Sequence, residues 1–185
     1  MHLISFAKYF APGYLFFSKI KDPHRRSDIH AYIAIFLSLL NIKFNLFQSS
    51  KLMGLSSSYM AYELTTFTKN DLVYIIHHLV ALFAVTHIWF GNPKHLELKT
   101  AEYFYLIEST NPFLNIWDKN PTKRNFFMFI YAFIIVRVLY LGYLVKWMKE
   151  EFNDIYSKGA TLFYIGMLSW AGITIKNNSH YLLSK

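Results

Sequence analysis

The chain has 185 residues, a formal net charge of +8, 54% hydrophobic and 19% aromatic residues, and no cysteine. This length suits one domain, and the missing cysteine excludes a disulfide framework, a thiolate nucleophile and a Cys-ligated metal. The basic residues cluster between apolar runs rather than along one polar surface, so they read as membrane-flanking charges, and no nucleic-acid partner is expected.

Residues 1–27 read as a cytosolic or interfacial segment. Lys8, Pro12 and Gly13 interrupt its apolar stretch, and no small-residue cleavage site follows, so a signal peptide is not expected. Residues 28–176 read as a membrane domain with six candidate spans, and residues 177–185 as a short cytosolic tail.

The first span runs from Ile29 to Phe47, with Lys43 placed to snorkel. The second, Leu52 to Thr68, carries Ser56, Ser57, Ser58 and Glu63. The third, Leu72 to Phe90, is nineteen residues without Asp, Glu, Lys or Arg, close to the length that crosses a hydrocarbon core. The fourth, Leu98 to Trp117, contains Glu102, Glu108 and Asn111-Pro112, and Pro112 predicts a kink with a freed carbonyl. Phe126 to Trp147, with Arg137, and Ala160 to Ile175 complete the set. A soluble helical bundle is the competing reading, but six such segments leave little polar surface for a chain of this size. The mean hydropathy of +0.23 requires that the spans carry polar groups.

Lys and Arg are counted loop by loop to set orientation. The side shared by the termini holds Arg25, Arg26, Lys119, Lys123 and Arg124 among others, whereas the opposite side holds fewer, including Lys51, Lys94 and Lys99. Both termini are therefore expected in the cytosol.

His77 and His78 stand together inside the third span, roughly 8 Å from its cytosolic end by helical rise. Titratable side chains at membrane depth mark a functional site by default. Glu63 reaches a matching depth in the second span, and His30 lies at the start of the first. Glu108 and Arg137 fall near the midplane, where pairing would offset the cost of burying either charge alone. Adjacent helical residues point about 100° apart, so one histidine faces the interior while the other packs or hydrogen-bonds nearby. A neutral imidazole suits general-base or nucleophilic work, with Glu63 or Glu108 to orient it. The metal-binding His-Glu-x-x-His pattern is missing, and no metal is expected.

These residues resemble the TLC-domain family, the superfamily of ceramide synthases and related lipid-regulating membrane proteins. The resemblance rests on Ser58-Tyr59-Met60-Ala61-Tyr62-Glu63, His77-His78, and the run from Glu108-Ser109-Thr110-Asn111-Pro112 to Asn115. Arg26-Ser27-Asp28-Ile29-His30, Phe129 to Val138 and Leu168-Ser169-Trp170 extend it over Arg25 to Lys176. It implies an all-α bundle of six transmembrane helices around a lipid-accessible cavity, in the endoplasmic reticulum or a related endomembrane. His30, Glu63, Glu108, Asn111 and Arg137 would line that cavity, with His77 and His78 as the catalytic pair if the protein is an enzyme.

Two functions follow. The first is lipid homeostasis by binding or sensing a membrane lipid, without cofactor. The alternative is acyl-CoA-dependent lipid N-acyl transfer, with acyl-CoA as co-substrate. His77 or His78 would then take the acyl group or remove the amine proton. Arg25, Arg26, Lys69, Lys123 and Arg124 would form a basic mouth for the CoA phosphates. Where ceramide synthases carry an Asp-rich stretch, this chain has only Glu108 with Ser109, Asn111 and Pro112, and Glu63 replaces the usual Asp. These departures favour the non-catalytic branch. Either function is compatible with a homo-oligomer.

Overall fold

A computed structural model describes residues 2–45, 49–68, 72, 75–82, 98–152 and 154–183. The described secondary structure is helical throughout, with no strand among the described residues. The chain divides into two compact units, residues 1–108 and 109–185.

The first unit begins with α1 (His2–Ser18), α2 (Pro23–Phe44) and α3 (Ser49–Thr66). Residues 75–82 are helical (α4), and α5 (Thr100–Tyr105) runs on into a 3-10 stretch, Leu106–Thr110, whose last two residues belong to the second unit. α1 packs along α3. Phe17 is fully buried, and Tyr14 meets Tyr62 edge to face with ring centroids 5.5 Å apart. Gly13 permits the close approach, because a Cβ there would strike the Ser58 hydroxyl and come within 3.0 Å of Leu55 Cδ1. Gly13→Val is expected to destabilise the protein by about 1–3 kcal/mol through overpacking. A thermal melt of the purified variant checks this, and an unchanged midpoint would show that the α1–α3 contact is loose.

α2 starts at Pro23 rather than Ile29. Asp22 Oδ1 accepts from the N–H groups of His24 and Arg25 at 2.9 and 3.2 Å, and Pro23 occupies the first turn, where no N–H is needed. Asn45 ends the helix in the left-handed region at φ 52°. The early start places His30 about two turns inside the helix. The buried face of α2 consists of Arg26, His30, Ala31, Ala34, Ser38 and Asn41, whereas Tyr32, Phe36, Leu39 and Phe44 are exposed. This is the reverse of a soluble amphipathic helix.

The second unit holds α6 (Asn111–Lys119), α7 (Lys123–Phe133), a π-helical segment Ile134–Tyr140, α8 (Leu141–Glu151), α9 (Ile155–Asn177) and α10 (His180–Leu183). Aromatic rings build its core. Trp117 stacks on Phe129 at 5.4 Å and 7°, and Trp170 packs against Phe129 and Phe133. Thr122 caps α7 and Asp154 caps α9. The wide π turn lets the Val138 carbonyl accept from the Tyr164 hydroxyl at 3.1 Å. Gly142 leaves room for that phenol, which would lie 2.9 Å from a Cβ.

Among the described residues, two helices are long and apolar enough to cross a membrane, Pro23–Phe44 and the continuous run Lys123–Glu151. Of the six expected spans, these two meet the length and composition of a span among the described residues. Serines dilute α3, the 3-10 stretch breaks the fourth predicted segment, and glycine with hydroxylated residues dilutes α9. Most of the third predicted span, Leu72 to Phe90, lies outside the described residues.

Candidate functional site

The first unit gathers its titratable groups between α2, α3, α4 and the end of α5. α2 and α3 match each other turn for turn with opposite order. Arg26 meets Glu63, and His30, four residues later, meets Tyr59, four residues earlier. Each pair is spaced i, i+4 on its own helix, so both members lie on one face.

At the first level, Arg26 Nε donates to Glu63 Oε1, and another guanidinium nitrogen donates to the Ile20 carbonyl at 2.6 Å. The guanidinium also lies over the Tyr62 ring, 4.7 Å from its centroid. Arg26 is 2% exposed. This corrects its assignment to a basic surface mouth, because Glu63 draws it inside. Arg25, Lys123 and Arg124 are exposed, whereas Lys69 lies outside the described residues.

At the second level, the His30 ring stacks on Tyr59 with centroids 4.0 Å apart and planes 11° apart. His30 is 1% exposed, and neither ring nitrogen has a hydrogen-bond partner among the described residues. Glu108 Oε2 lies 4.0 Å from its Nδ1, too far for a hydrogen bond. His78 lies 6.0 Å from Tyr59 at a 53° tilt, and Phe17 packs edge-on against Tyr59 at 5.3 Å. His78 is buried and also touches Phe67. His77 is half-buried, its ring at 78° to that of His78. Thus His78 points towards the His30–Tyr59 stack.

The structure therefore brings together His30, Glu63, His78 and Glu108, with His77 at the edge. Two members were missed in the sequence, Arg26 and Tyr59. Their signal was the shared i, i+4 spacing with His30 and Glu63. A neutral imidazole offers one donor and one acceptor, so His30 can bind a group that both accepts and donates, such as a hydroxyl or protonated phosphate. Glu108 beside it favours a ligand hydrogen-bond donor.

Asn111 and Arg137 meet in the second unit. Arg137 Nε donates to Thr110 Oγ1 at 2.6 Å, and its other nitrogens donate to Asn111 Oδ1 at 2.8 Å and the Met167 sulfur at 3.2 Å. The π segment that carries Arg137 is a feature often found where a helix serves function. Among the described residues, no three His, Cys, Asp or Glu side chains are grouped to hold a metal ion. No family model, no characterised protein and no solved structure matches the chain.

Proposed function

We propose that this chain is an integral membrane protein of TLC-domain type that acts in lipid homeostasis by binding or sensing a membrane lipid. In this reading His30, Tyr59, His78 and Glu108 receive the polar head. The two long apolar helices support the membrane part, since only 28% of each apolar window is buried. An apolar core helix of a soluble protein would be mostly buried instead. The inverted face of α2 adds to this, with aromatic and aliphatic side chains outside and Arg26, His30, Ser38 and Asn41 inside. Water rewards the opposite arrangement, whereas a bilayer rewards this one. The other helices complete the bundle, with both termini cytosolic and the endoplasmic reticulum or a related endomembrane as its location.

The observation that carries the lipid reading is the His30 imidazole, buried beside a carboxylate with both nitrogens unpartnered among the described residues. Buried polar atoms are rarely left without partners, and the exceptions favour a ligand or water. Glu63 bears on the choice between binding and acyl transfer. It is engaged by Arg26, so it is not free to orient His77 or His78 as a catalytic base.

The test begins with cell membranes washed in alkaline carbonate, where the protein is expected in the pellet. Recovery in the supernatant would sink the membrane reading. Protein purified in mild detergent is then extracted and its lipids measured by mass spectrometry. A defined lipid class in fixed ratio to protein is expected, with no turnover of labelled acyl-CoA and amine lipids. Turnover that is lost in both His77→Ala and His78→Ala would replace binding with the acyltransferase function.

A further inference from the structure

The first unit buries a second set of polar groups that lipid-head recognition does not use. Ser38 and Asn41 come from α2, Ser56 and Ser57 from α3, and Glu102 and Tyr105 from α5. Ser38, Ser56, Ser57 and Glu102 are wholly inaccessible. The Ser38 and Ser57 hydroxyls and Glu102 Oε2 have no hydrogen-bond partner among the described residues, and the Ser56 and Tyr105 hydroxyls have none there but each other. The other oxygen of Glu102 accepts from the Asn41 amide at 2.5 Å, and Lys99 Nζ donates to the Asn41 carbonyl at 2.6 Å.

These groups are ordered along the helices. Glu102, Tyr105 and Glu108 follow at three-residue steps along α5 and its 3-10 continuation. Tyr105 lies beside Ser56 and in the field of both carboxylates. On α2, His30, Ala34, Ser38 and Asn41 share the inward face. From Arg26 to Asn41 this face extends about 22 Å, against a hydrocarbon core of about 30 Å.

Several under-satisfied hydroxyls and one carboxylate oxygen in a single interior are the setting that buried water requires, since such water needs several polar partners. Their type indicates what the water does. Imidazole, hydroxyl and carboxyl groups each accept a proton at one lone pair and release another, whereas a permanent cation cannot. Arg26 and Lys99 stand only at the two ends of this run.

We propose that the first unit carries a hydrated proton path along α2, from His30 and Glu108 past Tyr105, Ser56 and Ser38 to Glu102. In each hop a proton moves along one hydrogen bond, the accepting atom gains the O–H or N–H bond that the donor loses, and reorientation restores the starting state. No electron or co-reactant is required. The proposal rests on the membrane reading but not on lipid binding.

Wild-type protein reconstituted in liposomes with an entrapped pH dye, under a valinomycin-set potassium potential, provides the test. Proton flux above that of protein-free vesicles is expected, reduced to the protein-free level by Glu102→Gln. Ser38→Ala and Ser56→Ala, which remove a single hydroxyl each, are expected to lower it strongly, while exposed Ser169→Ala leaves it unchanged. Each variant is first shown to melt like wild type and to float with the vesicles after carbonate washing. Wild-type protein that floats but passes no protons overturns the path, as does flux unaffected by Glu102→Gln. Protein that fails to float overturns the membrane reading, and the path with it.

Discussion

Glu63→Leu alone is expected to destabilise the protein by about 3–5 kcal/mol, the cost of leaving a buried ionic partner without its counter-charge. The Arg26 and Glu63 side chains are only 3% and 7% exposed, so water cannot take over when the carboxylate is removed. The guanidinium would keep the Ile20 carbonyl and the Tyr62 ring face, neither of which carries a full charge. Domains are stable by about 5–15 kcal/mol in total, so such a loss would show as poor yield and a sharply lower melting temperature.

The double variant Arg26→Met, Glu63→Leu is expected to recover most of that loss. Apolar side chains of similar volume replace the pair without the desolvation of two ions. A double-mutant cycle on melting temperature separates this from simple packing. If Glu63→Leu melts like wild type, the pair is not the structural anchor of α2 on α3. Recovery also frees the lipid-binding assay from folding defects, because His30 and Tyr59 lie one turn further along and are untouched by the exchange.

The long apolar runs made the helical class legible, and two of them, Ile29 to Phe47 and Phe126 to Trp147, located the two helices that meet the length and hydropathy of a span among the described residues. Other features were less visible. The start of α2 depended on Asp22-Pro23, a capping signal obscured by the basic cluster that follows it. The break expected at Pro112 occurs just upstream, as the 3-10 stretch Leu106–Thr110, because Pro112 has no N–H for the carbonyl four residues earlier, that of Glu108, and its ring crowds that carbonyl. Nothing in Ile134–Tyr140 announces a π turn, since these aliphatic and aromatic residues fit an α-helix equally well.

The site shows the same division. His30, Glu63, His78 and Glu108 were legible because ionisable groups are conspicuous in apolar surroundings. Arg26 was not, because an arginine near a helix start looks like a flanking charge until its partner is known. Tyr59 was hidden among the aromatics, and only its stacking on His30 reveals its place. Asn111 and Arg137 were both legible as polar residues in apolar segments, but their direct bond depends on tertiary geometry.

His30→Phe is expected to abolish lipid retention while the protein remains folded, and this combination separates a binding histidine from a packing one. Phenylalanine preserves the ring that stacks on Tyr59 at 4.0 Å and packs near Phe17. It also removes two buried nitrogens that have no hydrogen-bond partner among the described residues, so no hydrogen bond to those residues is broken. Relieving such unsatisfied atoms is worth about 1–3 kcal/mol, and the variant should therefore melt at or above the wild-type temperature without lipid. His78→Phe is the useful comparison, because the His78 ring also lies against Tyr59, 6.0 Å away, and its loss should weaken retention too. Delipidated protein, reloaded with its co-purifying lipid and followed by the rise in melting temperature, provides the measurement. Wild type should gain stability on loading and His30→Phe should not. If the variant gains as much as wild type, the imidazole does not contact the lipid head and the site belongs elsewhere in the chain.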